Sequence, residues 1–165
     1  LRLVGSEMCI RDSRYSCKKF SSEQIGKDKL DAILEAGRVA PTAKNLQEQH
    51  IYVVQSESAL ETIDKLTPCR YNAPTVLIVA YNKNNVFTYL GDKRNSGIED
   101  ATIVATHLML AAYNEGVDSC WINFFNPDEL AKAFNLPEDE EILMLLDLGV
   151  ADKTTTPLPL SLIHI

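Results

Sequence analysis

The chain has 165 residues, of which 45% are hydrophobic and 24% charged, and this composition predicts one globular domain with a sizeable core. Its formal net charge of -7 argues against general nucleic-acid binding, which usually needs a basic face. No apolar run in the sequence reaches the roughly 18 residues that a membrane span needs, so we expect neither nucleic acid nor membrane as a partner.

The first half of the chain predicts two helices and two strands. "DKLDAILEAGRV" places apolar residues on one side at helical spacing, and Pro41 ends this helix. "HIYVVQ" has the β-branched and aromatic residues of a strand, and "SALETIDKL" has the pattern of a short helix. "TVLIVAY" is a continuous apolar run of strand length, which predicts a central strand buried on both faces.

The second half begins with a polar loop, residues 82–95, and the longest helical pattern, "GIEDATIVATHLMLAAYNEG". This helix is nearly apolar through its middle, which predicts a place inside the domain or at a subunit interface. "DSCWINFF" then predicts a strand, "NPDELAKAF" a helix capped by Asn126, and "EILMLLDLGV" a buried strand. The mixed order favours an α+β or three-layer sandwich over a doubly wound dinucleotide fold, and it leaves the strand order open.

The two ends differ in pattern from the rest of the chain. "LRLVGSEMCIRDS" has no sustained periodicity, and the chain closes on the apolar "LSLIHI". Both resemble translated sequencing-adapter text, although a real terminal strand at each end is the alternative. We expect residues 1–13 and 160–165 to be non-native and the domain to span residues 14–157.

Neither a metal site nor a nucleophilic catalytic site is expected. Four cysteines form no CxxC pair, and three histidines show no metal-ligand spacing. The sequence also lacks the glycine motifs of nucleotide-binding loops and nucleophile elbows, as well as a secretory signal pattern. We therefore expect free thiols in a reducing cytoplasm. Glu99 and Asp100 fit the start of the long helix, where acidic side chains suit the helix dipole.

Two short stretches carry groups that bind anions and rings. In "RYSCKKF", an extended backbone would project Arg14, Ser16 and Lys18 to one side, where they could hold a phosphate. Lys19 would face the other way into solvent. In "APTAKNLQEQH", Pro41, Thr42, Asn45 and Gln47 follow the first helix, and the two amides suit a heteroaromatic ring that carries carbonyls and ring nitrogens. A solvated basic turn and an ordinary polar loop are the alternatives.

In this order the two stretches resemble the FMN-dependent nitroreductase family, whose patterns are R-x-S-x-[RK]-x-F and A-P-[ST]-x-x-N-x-Q. "NEGVDSCWINFF" resembles the family's segment after its central helix, so the resemblance runs from about residue 14 to about residue 151. The resemblance implies a three-layer sandwich in which helices flank a central mixed, mainly antiparallel sheet. It also implies a homodimer with FMN at the subunit interface.

The resemblance assigns these residues to FMN. Arg14 and Ser16 match the positions that hold the phosphate, with Tyr15 contributing backbone, and Lys18 matches the basic position near the ribityl chain and the pyrimidine end. The segment that reaches the flavin across the dimer interface matches Pro41, Thr42, Ala43, Asn45 and Gln47. Trp121, Ile122 and Asn123 match the segment beside the isoalloxazine ring.

The implied activity is electron transfer from NADH or NADPH to nitroaromatic, quinone or related small acceptors, with the flavin rather than a catalytic side chain carrying the chemistry. The alternatives are a non-catalytic flavin-binding or interaction protein and another reaction of the same fold, such as dehalogenation or flavin destruction. One departure from the family pattern is that its C-terminal segment with a further basic phosphate ligand has no match here, because "ADKTTTPLP" leads directly into "LSLIHI". This departure puts the affinity for FMN in doubt.

Overall fold

A computed structural model describes residues 14–91 and 93–157 of the chain. The two ends that we expect to be non-native, residues 1–13 and 160–165, lie outside the described residues. Within the described part, the α-helices are α1 (Lys27–Arg38), α2 (Glu57–Leu66), α3 (Gly97–Asn114) and α4 (Pro127–Ala133). The strands are β1 (Gln49–Val54), β2 (Thr75–Asn82), β3 (Asp118–Ile122) and β4 (Glu140–Gly149).

The helix ends follow local sequence signals. The side chain of Asn126 accepts hydrogen bonds from the amides of Asp128 and Glu129, at 3.1 and 3.3 Å, and Pro127 occupies the first turn of α4. Gly116 follows α3 with a φ of +67°, the left-handed conformation that glycine adopts most easily. The predicted Asn126 cap and the predicted end of the long helix are therefore confirmed.

The strands form one antiparallel sheet in the order β1-β2-β4-β3. A register shift between Val79 and Ala80 marks a bulge in the pairing of β2 with β4. The segment 14–20 runs beside the edge strand β3, where Ser16 and Ser119 form an isolated parallel bridge. The prediction of a mixed, mainly antiparallel sheet is confirmed.

Helices cover both faces of this sheet. Alternate residues of β2 point to opposite sides, so Leu77 and Val79 pack with α1 and α3, while Val76 and Ile78 pack with α2 and α4. The first seven residues of β2 are all buried. The predicted three-layer α+β sandwich and its central buried strand are therefore confirmed.

Candidate functional site

The first candidate region is a cavity of about 310 Å³ beside the segment 14–20 and the end of β3. Five of the predicted cofactor-binding residues line it, although they come from distant parts of the chain: Ser16, Lys18, Trp121, Ile122 and Asn123. The other lining residues are Cys69, Tyr71, Cys120 and Phe124. We call this set of nine residues the N-terminal cavity.

The side chains of Ser16, Cys17 and Lys18 in the segment 14–20 alternate between the cavity and the core, as the sequence predicts. The amide of Cys17 donates to the carbonyl oxygen of Ser119 at 2.9 Å, and the Cys17 side chain is fully buried. Because neighbouring side chains of an extended backbone point in opposite directions, Ser16 and Lys18 are exposed and line the cavity. Arg14 and Tyr15 are half-buried and do not line it, so their assignment to FMN stays a prediction.

Lys19 is not simply solvated, contrary to the expectation from alternation. Its ammonium group forms an ion pair with the carboxylate of Asp152 at 3.3 Å and donates to the hydroxyl of Thr154 at 2.7 Å. The backbone of the same segment reinforces this contact, because the amide of Asp152 donates to the carbonyl oxygen of Lys19 at 3.0 Å. Lys19 thus attaches residues 152–154 to the outside of the segment, which leaves Lys18 as the lysine of the cavity.

The aromatic part of the N-terminal cavity is held by two hydrogen bonds. The indole Nε1–H of Trp121 donates to Oδ1 of Asn123 at 3.0 Å, which orients the ring along the cavity edge. The hydroxyl of Thr67 donates to the carbonyl oxygen of Phe124 at 2.6 Å. The Phe124 side chain is 72% exposed, so the cavity presents aromatic surface that the chain itself does not cover.

A buried acid lies one strand further into the sheet. Asp147 of β4 pairs in register with Cys120 of β3, and neither of its carboxyl oxygens has a hydrogen-bond partner. Burial raises the pKa of Asp147 from 3.8 to about 9, although the guanidinium of Arg70 opposes this shift. Burial and then Asp147 raise the pKa of the Cys120 thiol to about 12. At neutral pH both groups are protonated and uncharged, and Cys120 is not a reactive thiolate.

The second candidate region is the loop between α1 and β1, residues 41–47. Thr42 and Gln47 line a separate cavity of about 440 Å³, whose apolar lining includes Leu34, Ile51 and Val104. The Thr42 hydroxyl oxygen accepts from the amide of Gln47 at 3.1 Å, so the loop closes on itself. Pro41 and Asn45 are exposed at its surface.

The backbone of this loop is strained. Lys44, Asn45 and Gln47 have φ values of 54°, 56° and 54°, a region that non-glycine residues seldom adopt. Each such residue costs of the order of 1 kcal/mol or more, so surrounding contacts must hold the loop in place. One such contact comes from α3, where Oδ1 of Asp100 accepts from the amide of Ala43 at 3.0 Å.

The two regions are separate within one chain. Of the described residues, none lines both cavities. The structure therefore brings together the predicted residues of the segment 14–20 and of the β3 end, but it does not bring the loop 41–47 to them. This separation is what the family resemblance implies, because there the loop reaches a flavin of the other subunit.

Several buried residues of these regions were missed at the level of sequence. Asp100 lies in the first turn of α3, as expected, but it is buried and bonds to the loop rather than serving only the helix dipole. Glu48 and Asp147 are buried acids whose local sequence gives no sign of burial, apart from the apolar run around Asp147.

The chain has no metal-binding group of three or more His, Cys, Asp or Glu side chains within residues 14–91 and 93–157.

The residues of the N-terminal cavity suit a flat heteroaromatic ligand that carries an anion. Lys18 supplies a cation and Ser16 a hydroxyl, while Trp121 supplies an aromatic face and Asn123 an amide. Protonated Asp147 adds no negative charge beneath this set. The chemistry of these donors therefore fits FMN.

The fold and the two regions define an α+β protein whose cavity can hold an anionic, ring-bearing cofactor. The profile of the Nitroreductase family matches residues 12–70 and 67–150. The chain therefore belongs to the nitroreductase family, a family of oxidoreductases.

Individual relatives agree with this assignment. The chain is 28% identical to the Bacillus subtilis protein YodC, named as an NAD(P)H nitroreductase, with 90% of this chain and 93% of the relative covered. A nitroreductase family protein from Clostridium difficile has 32% identity and a TM-score of 0.85, and the match covers 90% of this chain and 85% of that chain. A Bacteroides fragilis nitroreductase with bound FMN shares the fold at a TM-score of 0.78 and 23% identity, with 96% and 97% of the two chains covered.

Proposed function

We propose that this protein is an FMN-dependent oxidoreductase that passes electrons from NADH or NADPH to small acceptors such as nitroaromatic compounds or quinones. The observation that carries the proposal is the N-terminal cavity, where Ser16 and Lys18 meet Trp121, which lies far from them in sequence. Relatives named as NAD(P)H nitroreductases and a fold neighbour with bound FMN support the choice of cofactor and reductant. When bound, FMN supplies the redox chemistry, because it stores and passes the electrons.

The side chains of the cavity have separate roles in this proposal. Lys18 and Ser16 bind the anionic and hydroxyl-bearing part of the cofactor, with Arg14 adding charge at the start of the segment. The positive charge of Lys18 also favours the more negative, reduced form of the cofactor, and so raises its potential. Trp121 and Phe124 cover the ring and exclude water, while the Asn123 amide holds the indole of Trp121 in place.

The proposed working unit is a homodimer in which each cofactor contacts both subunits. One chain offers the N-terminal cavity and the loop 41–47 in different places, so a shared site needs a second copy. The helix α3 offers a surface for this contact, since Ile98 and Leu110 remain 57% and 39% exposed. The loop residues Asn45 and Gln47 would then contact the cofactor of the partner subunit.

We also propose a cytoplasmic location. The cysteines Cys17, Cys69 and Cys120 are free thiols, which suits a reducing compartment. In the part of the chain that the structure describes, no helix is long and apolar enough to cross a membrane.

The test uses Trp121, the single tryptophan of the chain, as a reporter at the cavity. FMN is titrated into flavin-free protein while tryptophan emission is followed, and NADH or NADPH oxidation is then measured with and without an added quinone. We expect saturable quenching of the emission and nicotinamide oxidation that depends on the quinone. Quenching without turnover would indicate a flavin-binding protein that is no enzyme, and absence of quenching would overturn the cofactor assignment.

A further inference from the structure

Beneath the strained loop 41–47 lies a pair of buried carboxyl groups from distant parts of the chain. Glu48, directly before β1, is 2% exposed, and Asp100, in the first turn of α3, is 4% exposed. Both oxygens of Glu48 and Oδ2 of Asp100 lack a hydrogen-bond partner, while Oδ1 of Asp100 accepts from the amide of Ala43 at 3.0 Å. Buried carboxyl oxygens without donors are costly, so a group that supplies a hydrogen is needed here.

A proton held between the two carboxyl groups would supply that hydrogen. With one proton on the pair, one carboxyl group donates to the other and a single negative charge remains. With both groups ionised, two charges would face each other in a buried position. In agreement with this, burial raises the pKa of Glu48 above its ordinary value, and contact with Asp100 raises it further.

The charged groups of the surrounding elements are occupied elsewhere and do not neutralise the pair. In the loop, the ammonium of Lys44 lies over the ring of Phe87, and in α1 the guanidinium of Arg38 binds Glu35. On α3, Glu99 accepts from the hydroxyl of Tyr89.

The sheet side offers no charge to the pair either. Burial and the Glu141 carboxylate raise the pKa of Tyr81 on β2, which keeps that phenol protonated. The backbone amide of Glu48 itself, and then the side-chain amide of Gln49 on β1, oppose the rise in the pKa of Glu48, and both groups are neutral. Asp100 is therefore the charged group that acts on Glu48.

We propose that Glu48 and Asp100 are positioning residues that share one proton, and that this hydrogen-bonded acid pair holds the loop 41–47 in its strained conformation. The pair acts through two backbone contacts. Asp100 accepts from the amide of Ala43 at one end of the strained stretch, and Glu48 continues from Gln47 at the other end, where its own carbonyl oxygen accepts from the amide of Asn82 at 2.9 Å. Loss of the shared proton separates the two acids and releases the loop.

The test measures amide hydrogen exchange of peptides that cover residues 42–47 in flavin-free protein, from about pH 5, just above the ordinary range of a glutamate side chain, to about pH 9. After correction for intrinsic exchange, we expect protection of this loop to fall by up to about tenfold per pH unit once the pair loses its proton, while protection of β2 stays constant. In Glu48→Gln the amide donates to Asp100 at every pH, so protection should not depend on pH. Asp100→Asn should give the same result, because its amide oxygen can still accept from Ala43.

The matched control is Glu99→Gln, which removes a carboxylate from the same helix turn at an exposed position and should behave like the natural chain. Wild-type protection that is constant over this range, or pH-dependent protection that persists in both Glu48→Gln and Asp100→Asn, would overturn the shared proton.

The consequence for the cofactor rests on the proposed function. FMN affinity of the natural chain should fall over the same pH range as loop protection, and it should stay constant in Glu48→Gln. A protein that binds no FMN at any pH but shows the expected exchange would contradict the proposed function and leave the acid pair established. FMN affinity that is constant while the loop is released would overturn the positioning role.

Discussion

The N-terminal cavity and the loop 41–47 both lie over buried acids, but they differ in how rigid their backbone is. Asp147 sits in the middle of the sheet, between Val76 and Cys120 of the neighbouring strands. Gain or loss of its proton should move the surrounding backbone little, because the hydrogen bonds of three paired strands hold that backbone in place. The acids beneath the loop instead connect to a strained segment through the hydrogen bond from the Ala43 amide to Asp100 and through the backbone of Glu48.

This difference indicates that the two regions have separate roles. The N-terminal cavity offers side chains from β3 and from the segment 14–20 bridged to it, and such a preformed set suits cofactor binding. The loop depends on a protonation state and, in the proposed homodimer, on contact with a second copy. Different responses of the two regions to mutation and to pH would support these separate roles.

The largest effect is expected from a substitution that disrupts the dimer, because it separates the loop 41–47 of one subunit from the N-terminal cavity of the other. Leu110→Glu places a charge on α3 at a side chain that is 39% exposed, so the single chain should still fold. Burying that charge in an interface would cost roughly 3–5 kcal/mol, so the variant should be monomeric and should have lost the loop's contribution to FMN binding. Light scattering combined with an absorbance detector measures both properties.

The matched control is Val53→Glu, which places the same charge at a side chain of similar exposure, 40%, but on β1 instead of α3. This variant should remain dimeric. A wild-type monomer that carries stoichiometric FMN would show that the loop 41–47 takes no part in cofactor binding.

The next effect concerns the N-terminal cavity alone. Lys18→Ala should weaken FMN binding by roughly 1.5–3 kcal/mol, the usual range for a lost hydrogen bond to a charged group. Lys19→Ala is the matched control, because the neighbouring lysine contacts Asp152 and Thr154 instead of the cavity. Tryptophan quenching gives both affinities, and equal affinities for the two variants would remove Lys18 from the cofactor site.

The buried acid of the rigid region should affect stability. Since the folded-state pKa of Asp147 is about 9 and its ordinary value is 3.8, the unfolded chain loses this proton first as the pH rises. Stability contributed by the protonated acid is therefore lost between about pH 4 and about pH 9. Asp147→Asn should reduce this loss and raise the free energy of unfolding at pH 7 by about 1 kcal/mol or more.

Denaturant unfolding of the flavin-free protein at several pH values measures this effect, and exchange of the loop 41–47 serves as its control. Loop protection should keep its pH dependence in Asp147→Asn, because the acid pair remains. If the variant and the natural chain lose stability equally with pH, Asp147 is ionised in the folded protein.

The smallest expected effect concerns the orientation of Trp121. Asn123→Ala removes the acceptor of the indole N–H at an exposed position, so the free energy of FMN binding should weaken by about 0.5–1.5 kcal/mol or less. We expect a shifted tryptophan emission and slightly weaker FMN quenching, with an unchanged unfolding curve. An unaltered emission spectrum would indicate that the bond to Asn123 does not orient the ring.

The sequence by itself determined the elements and the rigid half of the candidate site. The apolar run of β2, the cap at Asn126 and the glycine after α3 are local signals, because helix and strand periodicity depend on near neighbours. The alternation of Ser16, Cys17 and Lys18 is equally local, since successive side chains of an extended segment point to opposite faces.

The tertiary structure alone decided which distant residues meet. The order β1-β2-β4-β3 places Asp147 beside Cys120, and the packing of α3 on the sheet brings Asp100 to Glu48 and to the loop. Sequence spacing does not encode strand order or the approach of a helix to a loop, because these depend on how whole faces pack together. For that reason the buried acids beneath both regions, and the separation of the two regions within one chain, became visible only in the folded molecule.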